Sequence, residues 1–284
     1  MAGPPEASIA DSSDAARTLA RLPYRADRAR LPSELSAVLV DLDPDHETRE
    51  FLARAVTTRH GRGRALLHAL LRSGLSDFDV NGLLGTYPLF LLGTAQARRL
   101  LGAFARGRLL DVGAGSGDVT LRLSPLFSEV VATETAFAMA RRLGRRGLRC
   151  HRVDLARDPA PAGPWDVVSC LNVIDRCAEP LTLLERLRDL VRGGGRLLLA
   201  TPMPYEPFVY RGGSTRPPLE RLPIEGGDWE GSVTELSRSV LAPLGLEVEA
   251  LARVPYLSGG DPARPLYVLD DAVLVCRVVG SAPK

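Results

Sequence analysis

The stretch LLDVGAGSGDVT, from Leu109 to Thr120, decides the fold predicted for this chain. An apolar run ends in an acid, and three glycines then follow within five residues. A strand, a glycine-rich turn and a helix in this order are typical of sheets that bind nucleotide-like ligands at the carboxyl ends of parallel strands. The spacing G-x-G-x-G matches neither the dinucleotide fingerprint nor the phosphate-binding P-loop.

The pattern on both sides of the loop predicts an α/β fold. From residue 108 to 201, helical segments alternate with the apolar runs RLLDVG, EVVATE, LRCHRVDL, WDVVSCLNV and GGGRLLLATP. This alternation predicts βαβ units and a mostly parallel sheet that is covered on both faces. The later runs LEVEALARVPYL and LYVLDDAVLVCRVV predict an antiparallel strand pair, the order of a class I methyltransferase. Asp270 and Asp271 interrupt the last run and predict a bulge near the substrate side.

The chain before the glycine loop has a different composition. Residues 1–22 are rich in Ala, Pro, Ser and Asp, which predicts a disordered tail. Residues 33–76 place apolar side chains at three- and four-residue spacings, which predicts helices. We therefore expect a helical N-terminal segment over 23–106, packed on a methyltransferase domain over 107–284.

Acids at the ends of the first three predicted strands indicate the ligand. Asp111 would repel a pyrophosphate and suits a cation, and Glu134 can accept two hydrogen bonds from a ribose diol. Asp154 is placed to accept from an adenine amino group. With the glycine loop, these acids predict S-adenosylmethionine as the cofactor, held also by Gly113, Ala114, Gly115 and Gly117. The alternative is that the glycines only tighten a turn, which leaves the acids unexplained.

The stretch SCLNVIDRCAEPLTLL follows the fourth predicted strand and indicates where the methyl group goes. Asn172 and Asp175 are expected at the mouth of the site, beside the cofactor and its reactive methyl group. Asn172 offers a donor and an acceptor, and Asp175 can accept a proton or orient a substrate N–H. The alternative is that Asp175 caps the next helix and Asn172 fills a turn.

These motifs identify a resemblance to a known family. From about Leu31 to the C-terminus, the chain resembles the DREV proteins, also called methyltransferase-like nine. The shared motifs are NGLLG, LLDVGAGSGDVT, VVATE, DVVSCLNVIDRCAEPLTLL, RVPYLSGGD and YVLDDAVLV. The resemblance implies a Rossmann-like class I fold, with a mostly parallel seven-stranded sheet and an antiparallel C-terminal strand pair. It also implies methylation of the N-pros nitrogen of histidine in His-x-His motifs of a protein or peptide.

The resemblance carries roles to individual positions. It implies that Asp111 and Gly113 bind S-adenosylmethionine, that Asn172 and Asp175 line the pocket for the target imidazole, and that Tyr256 of VPYL faces that pocket. Free imidazole has a pKa near about 6.5, so much of it is neutral at pH 7 and a strong base is unnecessary. Selection of one ring nitrogen is needed instead. Asp175 is expected to accept from the distal N–H, which leaves the proximal lone pair free.

Composition excludes several other classes of protein. The 36 basic and 34 acidic residues give a net charge of +2, which makes no case for a nucleic-acid partner. The four cysteines form no C-x-x-C pair, so we expect neither a metal site nor a disulfide framework. We expect the protein in a reducing compartment. No apolar leader or bilayer-length apolar run is present, so we expect a cytoplasmic protein without a membrane partner.

Some features depart from the family or leave the substrate open. NGLLG continues as TYPLF, and the secretory segment of the animal members is missing, so their endomembrane location is not carried over. Residues 205–230 are generic in sequence and are candidates for setting which substrate is accepted. Methylation of a small molecule or biosynthetic peptide, methylation of RNA, and cofactor binding without catalysis remain alternatives. A narrow closed pocket would favour a small molecule, and an open groove near Tyr256 would favour a protein.

Overall fold

The computed structural model describes residues 16–57, 88–211, 214–260 and 266–279. Most of the predicted tail, the helical pattern beyond residue 57 and the NGLLG motif lie outside these ranges. A short helical turn occupies residues 16–19.

The strands of the described chain are β1 Leu89–Phe90, β2 Arg108–Val112, β3 Glu129–Thr133, β4 Arg149–His151, β5 Trp165–Leu171, β6 Val191–Pro202, β7 Val209–Arg211, β8 Ser214–Arg216, β9 Leu246–Gly259 and β10 Leu266–Val278. Eight of them form one sheet in the order β1-β9-β10-β6-β5-β2-β3-β4. Strands β2 to β6 pair in parallel, whereas β10 pairs antiparallel with β6 and β9. Strands β7 and β8 form a separate hairpin.

The helices are α1 Ser33–Ala37, α2 His46–Thr57, α3 Thr94–Leu101, α4 Thr120–Leu123, α5 Phe137–Arg145, α6 Pro180–Leu190 and α7 Trp229–Glu235. Turns of 3₁₀-helix lie at Arg28–Arg30, Gly102–Phe104 and Ser124–Leu126, and a π-helical turn at Leu236–Leu241 continues α7. Helix α6 begins at a proline, where the missing N–H has no helical partner to lose. It buries Leu183, Leu184 and Leu187 on one face.

Both faces of the sheet are buried, as the continuous apolar strands predict. Adjacent residues of one strand enter different cores: Leu109 packs in one cluster and Leu110 in another. Successive side chains of a strand point to opposite faces of the sheet. Because both faces are buried, residues at successive positions are apolar, and the strand reads as a continuous apolar run. The mostly parallel Rossmann-like sheet with an antiparallel C-terminal pair is confirmed.

Three local expectations are corrected. The sheet has an eighth strand, because Leu89 and Phe90 pair with Ser258 and Leu257 of β9; two residues are too few to show an alternating pattern. The helix expected from Asp118 to Leu126 is an α-helix only at Thr120–Leu123, because Pro125 lacks the N–H that would continue it. The bulge expected at Asp270 and Asp271 lies instead between Val275 and Cys276.

The N-terminal segment is joined to the sheet by hydrogen bonds and by packing. The Val40 amide donates to the Leu251 carbonyl at 2.7 Å, and the Leu251 amide donates to the Val38 carbonyl at 3.0 Å. Leu31, Leu35 and Leu39 belong to the same buried cluster as the sheet. The domain boundaries near residues 22 and 106 stay a prediction.

A buried carboxylate strengthens this junction. Glu230 is 4% exposed, and it accepts from the Asp27 amide at 2.8 Å and from the Arg253 guanidinium at 3.2 Å. Arg253 also holds Asp270 of β10. One acid of α7 therefore connects the N-terminal segment to the antiparallel strands.

We expect Glu230→Ala to lower the free energy of unfolding by about 1–3 kcal/mol, because the Asp27 amide loses its acceptor and Arg253 loses one of its two carboxylate partners. Urea unfolding of the whole chain measures this loss. Glu247→Ala is the control, since Glu247 pairs with Arg277 at the surface and its side chain is 51% exposed; little change is expected there. Equal losses in the two variants would contradict the role assigned to Glu230.

Candidate active site

The glycine loop leaves the carboxyl end of β2 in left-handed backbone conformations. Gly113 has a φ of +69°, and a Cβ there would lie 2.5 Å from a methyl group of Val173. Gly115 has a φ of +54°, and a Cβ there would meet nothing within 4 Å, so open space lies beside the backbone. Gly117 differs, because its Cβ would meet Leu143 of α5 at 2.6 Å. Gly117 therefore permits helix packing, whereas Gly115 leaves room for a ligand.

Asp111 lies near the end of β2 and is 2% exposed. Its carboxylate accepts from the Thr120 hydroxyl at 2.5 Å and from the Ser169 hydroxyl at 2.6 Å. Burial raises the pKa of Asp111 to about 6, against the opposing effect of these two hydrogen bonds. The side chain thus joins β2, α4 and β5, and it places a titratable acid beside the glycine loop.

Glu134 follows β3 and binds the backbone of the loop. Its Oε2 accepts from the Gly115 amide at 2.8 Å, and its Oε1 accepts from the Thr135 and Ala136 amides at 2.8 and 3.0 Å. Three N–H donors fix the carboxylate in place. Oε2 has one donor and Oε1 has two backbone donors, so Oε2 keeps the greater capacity to accept from a ligand hydroxyl.

Asp154 lies three residues beyond the end of β4. Its carboxylate accepts from the Ala156 amide at 3.1 Å, and the side chain is 47% exposed. It lines the cavity with Asp111 and Glu134. Its predicted contact with an adenine amino group stays a prediction.

Asn172 directly follows β5 in a left-handed conformation, with a φ of +58°. Its amide N–H donates to the Ala200 carbonyl of β6 at 2.9 Å, which holds the residue in this unusual backbone region. Both polar atoms of its side chain are buried, and neither has a hydrogen-bond partner. A buried amide without partners at the floor of a cavity is suited to a polar ligand.

Asp175 lies behind the lining of the cavity. It is 3% exposed, and its Oδ2 is 2.8 Å from the Arg176 guanidinium. Burial raises the pKa of Asp175, and Arg176 opposes that rise. Arg176 does line the cavity, and its guanidinium lies 3.8 Å from the centre of the Phe208 ring. The direct substrate contact predicted for Asp175 stays a prediction.

Asp271 of β10 is a buried acid that the sequence analysis did not assign to the site. It is 0% exposed, and neither carboxylate oxygen has a hydrogen-bond partner. Burial raises its pKa well above the usual value, and the neighbouring Asn172 amide opposes this. The two groups are close enough to interact, although their atoms fall outside strict hydrogen-bond geometry. The signal in the sequence that could have assigned Asp271 to the site is an acid within an otherwise apolar strand.

These residues surround a cavity of about 600 Å³, a size typical of ligand sites. The predicted residues that line it are Asp111, Gly113, Ala114, Gly115, Glu134, Asp154, Asn172 and Tyr256. Gly117 and Asp175 are not among the lining residues. Lining residues that the sequence analysis missed include Arg176, Cys177 and Tyr210. Tyr210 comes from β7, within the stretch that gave no pattern.

The sheet order and the site define a class I methyltransferase. Five parallel strands end in an antiparallel pair, and the cavity lies at the carboxyl ends of the strands. The model of the DREV methyltransferases matches residues 23–278, and the chain belongs to that family. S-adenosylmethionine is the cofactor, and the lining fits it: Asp111 can offset a positive charge, Gly115 opens space and Glu134 retains an accepting oxygen.

The similarity to individual curated proteins and solved structures is low. A ubiquinone biosynthesis O-methyltransferase of Marinobacter nauticus is 26% identical over 187 residues, which cover 59% of this chain and 73% of that protein. The corresponding protein of Xanthomonas oryzae pv. oryzae is 28% identical over 104 residues, 34% of this chain and 44% of that protein. The chain thus spans less than half of the latter's length.

Two solved methyltransferases resemble the chain in fold. A SAM-dependent methyltransferase of Leishmania major has a TM-score of 0.46 at 14% identity, covering 65% of this chain and 71% of that one. The N-methyltransferase NodS of Bradyrhizobium japonicum, in complex with S-adenosyl-L-homocysteine, has a TM-score of 0.44 at 14% identity, covering 66% and 86%. Within the described residues, none of the helices combines the length and apolarity needed to span a bilayer.

We expect Glu134→Ala to weaken binding of S-adenosylhomocysteine by about tenfold or more, because the loop loses the carboxylate that holds three backbone amides. Isothermal titration calorimetry measures the dissociation constant. Glu129→Ala is a matched control on the same strand, since Glu129 pairs with Arg108 at the opposite end of β3. Equal weakening in both variants would show that the effect is not local to the loop.

The raised pKa of Asp111 predicts a pH dependence of cofactor binding. S-adenosylmethionine is a cation, so it binds better when Asp111 is ionised. Because the pKa of Asp111 is about 6, we expect the affinity of the enzyme for S-adenosylmethionine to fall about tenfold from pH 7 to pH 5. Stability has the opposite sign: the contribution from the protonated group is complete below pH 3.8 and is lost as pH rises through about 6.

The matched variant for this pH series is Asp111→Asn, which does not titrate. Its affinity is expected to be lower than that of the wild type at pH 7 and to vary little from pH 7 to pH 5. A wild-type affinity that is flat over this range would contradict the assignment of the titrating group.

Proposed function

We propose that this methyltransferase transfers a methyl group from S-adenosylmethionine to the N-pros nitrogen of histidine, in His-x-His-type motifs of a protein or peptide. The observation that supports it best is the buried polar floor of the cavity. The side-chain amide of Asn172, which lines the cavity, is buried and has no hydrogen-bond partner in the described chain. A ligand that offers an N–H would satisfy groups that are costly to leave unpaired. The motif resemblance to the DREV family supplies the imidazole as that ligand.

Methyl transfer to a neutral imidazole does not require a strong general base. The cofactor supplies an electrophilic methyl group on a sulfonium. Neutral imidazole already carries a lone pair on one nitrogen, and its pKa of about 6.5 keeps much of it neutral at pH 7. What the chain must do is hold the ring so that the N-pros lone pair points toward the methyl group, and fix the proton on the distal nitrogen.

We assign three residues to this task. Asn172 and Tyr256 line the cavity, so the amide can contact an imidazole N–H and the phenol ring can pack against the imidazole. Burial raises the pKa of Tyr256, which keeps its hydroxyl protonated and able to donate. Asp175 holds Arg176 by an ion pair, and Arg176 lines the cavity beside them. Asp175 therefore acts on the substrate site through Arg176.

A substrate larger than a metabolite is supported by the rim of the cavity. Tyr210 of β7 lines the cavity and is also 42% exposed, so the lining continues to the surface. The segment that carries it crosses the loop after β5, because Phe208 donates to the Asp175 carbonyl at 3.0 Å and Leu219 to the Ala178 carbonyl at 2.8 Å. We propose that this segment helps to choose the peptide. We also propose a cytoplasmic location, which suits four free cysteines.

A second candidate is methylation of a small molecule. It is favoured by the names of the Marinobacter and Xanthomonas relatives, which are O-methyltransferases of ubiquinone biosynthesis. An oxygen acceptor would need a base to remove its proton, unlike a neutral imidazole. The product of methyl transfer therefore distinguishes the two candidates.

The test is methyl transfer from labelled S-adenosylmethionine to peptides that contain His-Ala-His. We expect label in the peptide, recovered after hydrolysis as 1-methylhistidine, and none in peptides with Ala-Ala-Ala at the same positions. Binding of S-adenosylhomocysteine is measured on the same sample. An enzyme that binds this compound and labels none of the histidine peptides would contradict the proposal and favour the small-molecule candidate.

A further inference from the structure

The edge of β10 before Asp271 has a strand on one side only. Strand β10 pairs with β9 along its whole length, whereas its pairing with β6 begins at Asp271. The Met203 amide donates to the Asp270 carbonyl at 2.8 Å, so Asp270 directs its backbone groups away from β9. Val268 faces the same way, because alternate residues of a strand bond to the same neighbour. The described chain supplies no strand on that side of Val268, so its N–H and C=O face an open edge.

This edge lacks the features that prevent unwanted strand pairing. Exposed sheet edges commonly carry lysine, proline or inward-pointing charges that keep other strands away. Residues 266–269 are instead Leu, Tyr, Val and Leu, and the side chains of Tyr267 and Leu269 are 38% and 41% exposed. An edge of this kind suits an extended peptide, which gains main-chain hydrogen bonds and side-chain contacts together.

The exposed side chains of this edge lie on the same face of the sheet as the cavity. Register places Leu269 opposite Tyr256 and Tyr267 opposite Ser258. Directly opposed residues of two strands project to one face, and both Tyr256 and Ser258 line the cavity. The surface formed by Tyr267 and Leu269 is therefore continuous with the cavity wall, one strand further out.

Resting on the proposed function, we propose that a segment of the substrate peptide next to the target histidine pairs, as an extended strand, with the open edge of β10. Val268 exchanges main-chain hydrogen bonds with this segment. Side chains on one face of a strand recur about every 6.8 Å, which is also the spacing of Tyr267 and Leu269. Apolar residues at every second position of the segment therefore contact these two side chains.

Continuity with the cavity identifies the occupant of the edge. A substrate peptide has to enter the cavity with its histidine, so the chain on either side of that histidine leaves the cavity across its rim. A second copy of this protein would also fit an open edge, but its sequence contains no His-x-His motif to place in the cavity. The edge is thus assigned to the substrate rather than to a dimer.

Three peptides separate the parts of the proposal. They are a capped His-Ala-His tripeptide, a longer peptide with Val and Ser alternating on both sides of His-Ala-His, and the longer peptide with N-methylated amides in its flanks. For the wild type, we expect kcat/KM to be about tenfold or more higher for the longer peptide than for the tripeptide, mostly through KM. N-methylation removes the main-chain donors, so we expect it to abolish most of this gain.

A variant of the edge tests the side-chain contacts. For Leu269→Ser, we expect the ratio of kcat/KM between the longer peptide and the tripeptide to fall about fivefold or more, because apolar contact area is lost. Val279→Ser is the matched control, since Val279 follows β10 at its other end and is also 41% exposed. We expect the wild-type ratio in that variant.

The outcomes distinguish the inference from the proposed function. Equal kcat/KM of the wild type for the three peptides, or an unchanged ratio in Leu269→Ser, would overturn the inference and leave the proposed function in place. Light scattering that finds a wild-type dimer, converted to a monomer by Leu269→Ser, would also overturn the inference, because a second copy would then occupy the edge. A wild type that binds S-adenosylhomocysteine and labels no histidine in any peptide overturns the proposed function, and the inference with it.

Discussion

Burial of carboxyl groups at the carboxyl edge of the sheet is the constraint on which the rest of the site depends. Asp111, Glu134, Asp175 and Asp271 are each at most 9% exposed. A charge out of water must be compensated, and each acid is compensated differently: two hydroxyls, three backbone amides, one guanidinium, and no donor at all.

The buried acids differ in how many of their hydrogen bonds are already made. On the cofactor side, the acids are rigid because their hydrogen bonds hold the glycine loop and the strands around them. Asn172 and Asp271 instead retain unused hydrogen-bonding capacity, and β6 holds Asn172 in a left-handed backbone conformation. Preorganised groups of this kind contribute most when a substrate completes their hydrogen bonds. Stability is supplied elsewhere, by the two largest apolar clusters of the described chain and by the Glu230–Arg253–Asp270 network.

Much of the fold was predictable because its signals are local. The parallel strands are continuous apolar runs, and the glycine loop marks the strand at the centre of the site. The exceptions also have physical causes. Strand β1 has only two residues, and it exists because β9 offers an edge to pair with. Helix α4 ends early at a proline, and the β-bulge is set by pairing with β9 rather than by the two acids in β10.

The lining of the cavity was predictable where a residue lies near the end of its strand or directly after it, as Asp111, Glu134 and Asn172 do. It was less so where the surroundings come from distant segments. Gly117 lies in the glycine loop but packs against α5, and Asp175 is turned away to pair with its neighbour Arg176. Asp271 joins the site only through strand register, which brings β10 beside β6 and β9.

The most direct test of the account is ¹⁵N NMR of a His-Ala-His peptide, labelled at both imidazole nitrogens and bound to the enzyme with S-adenosylhomocysteine. We expect the bound target ring to be neutral, with its proton on the distal nitrogen and no proton on the N-pros nitrogen. The opposite tautomer, or the same mixture of tautomers as in the free peptide, would contradict the claim that the buried polar floor selects the nitrogen that is methylated.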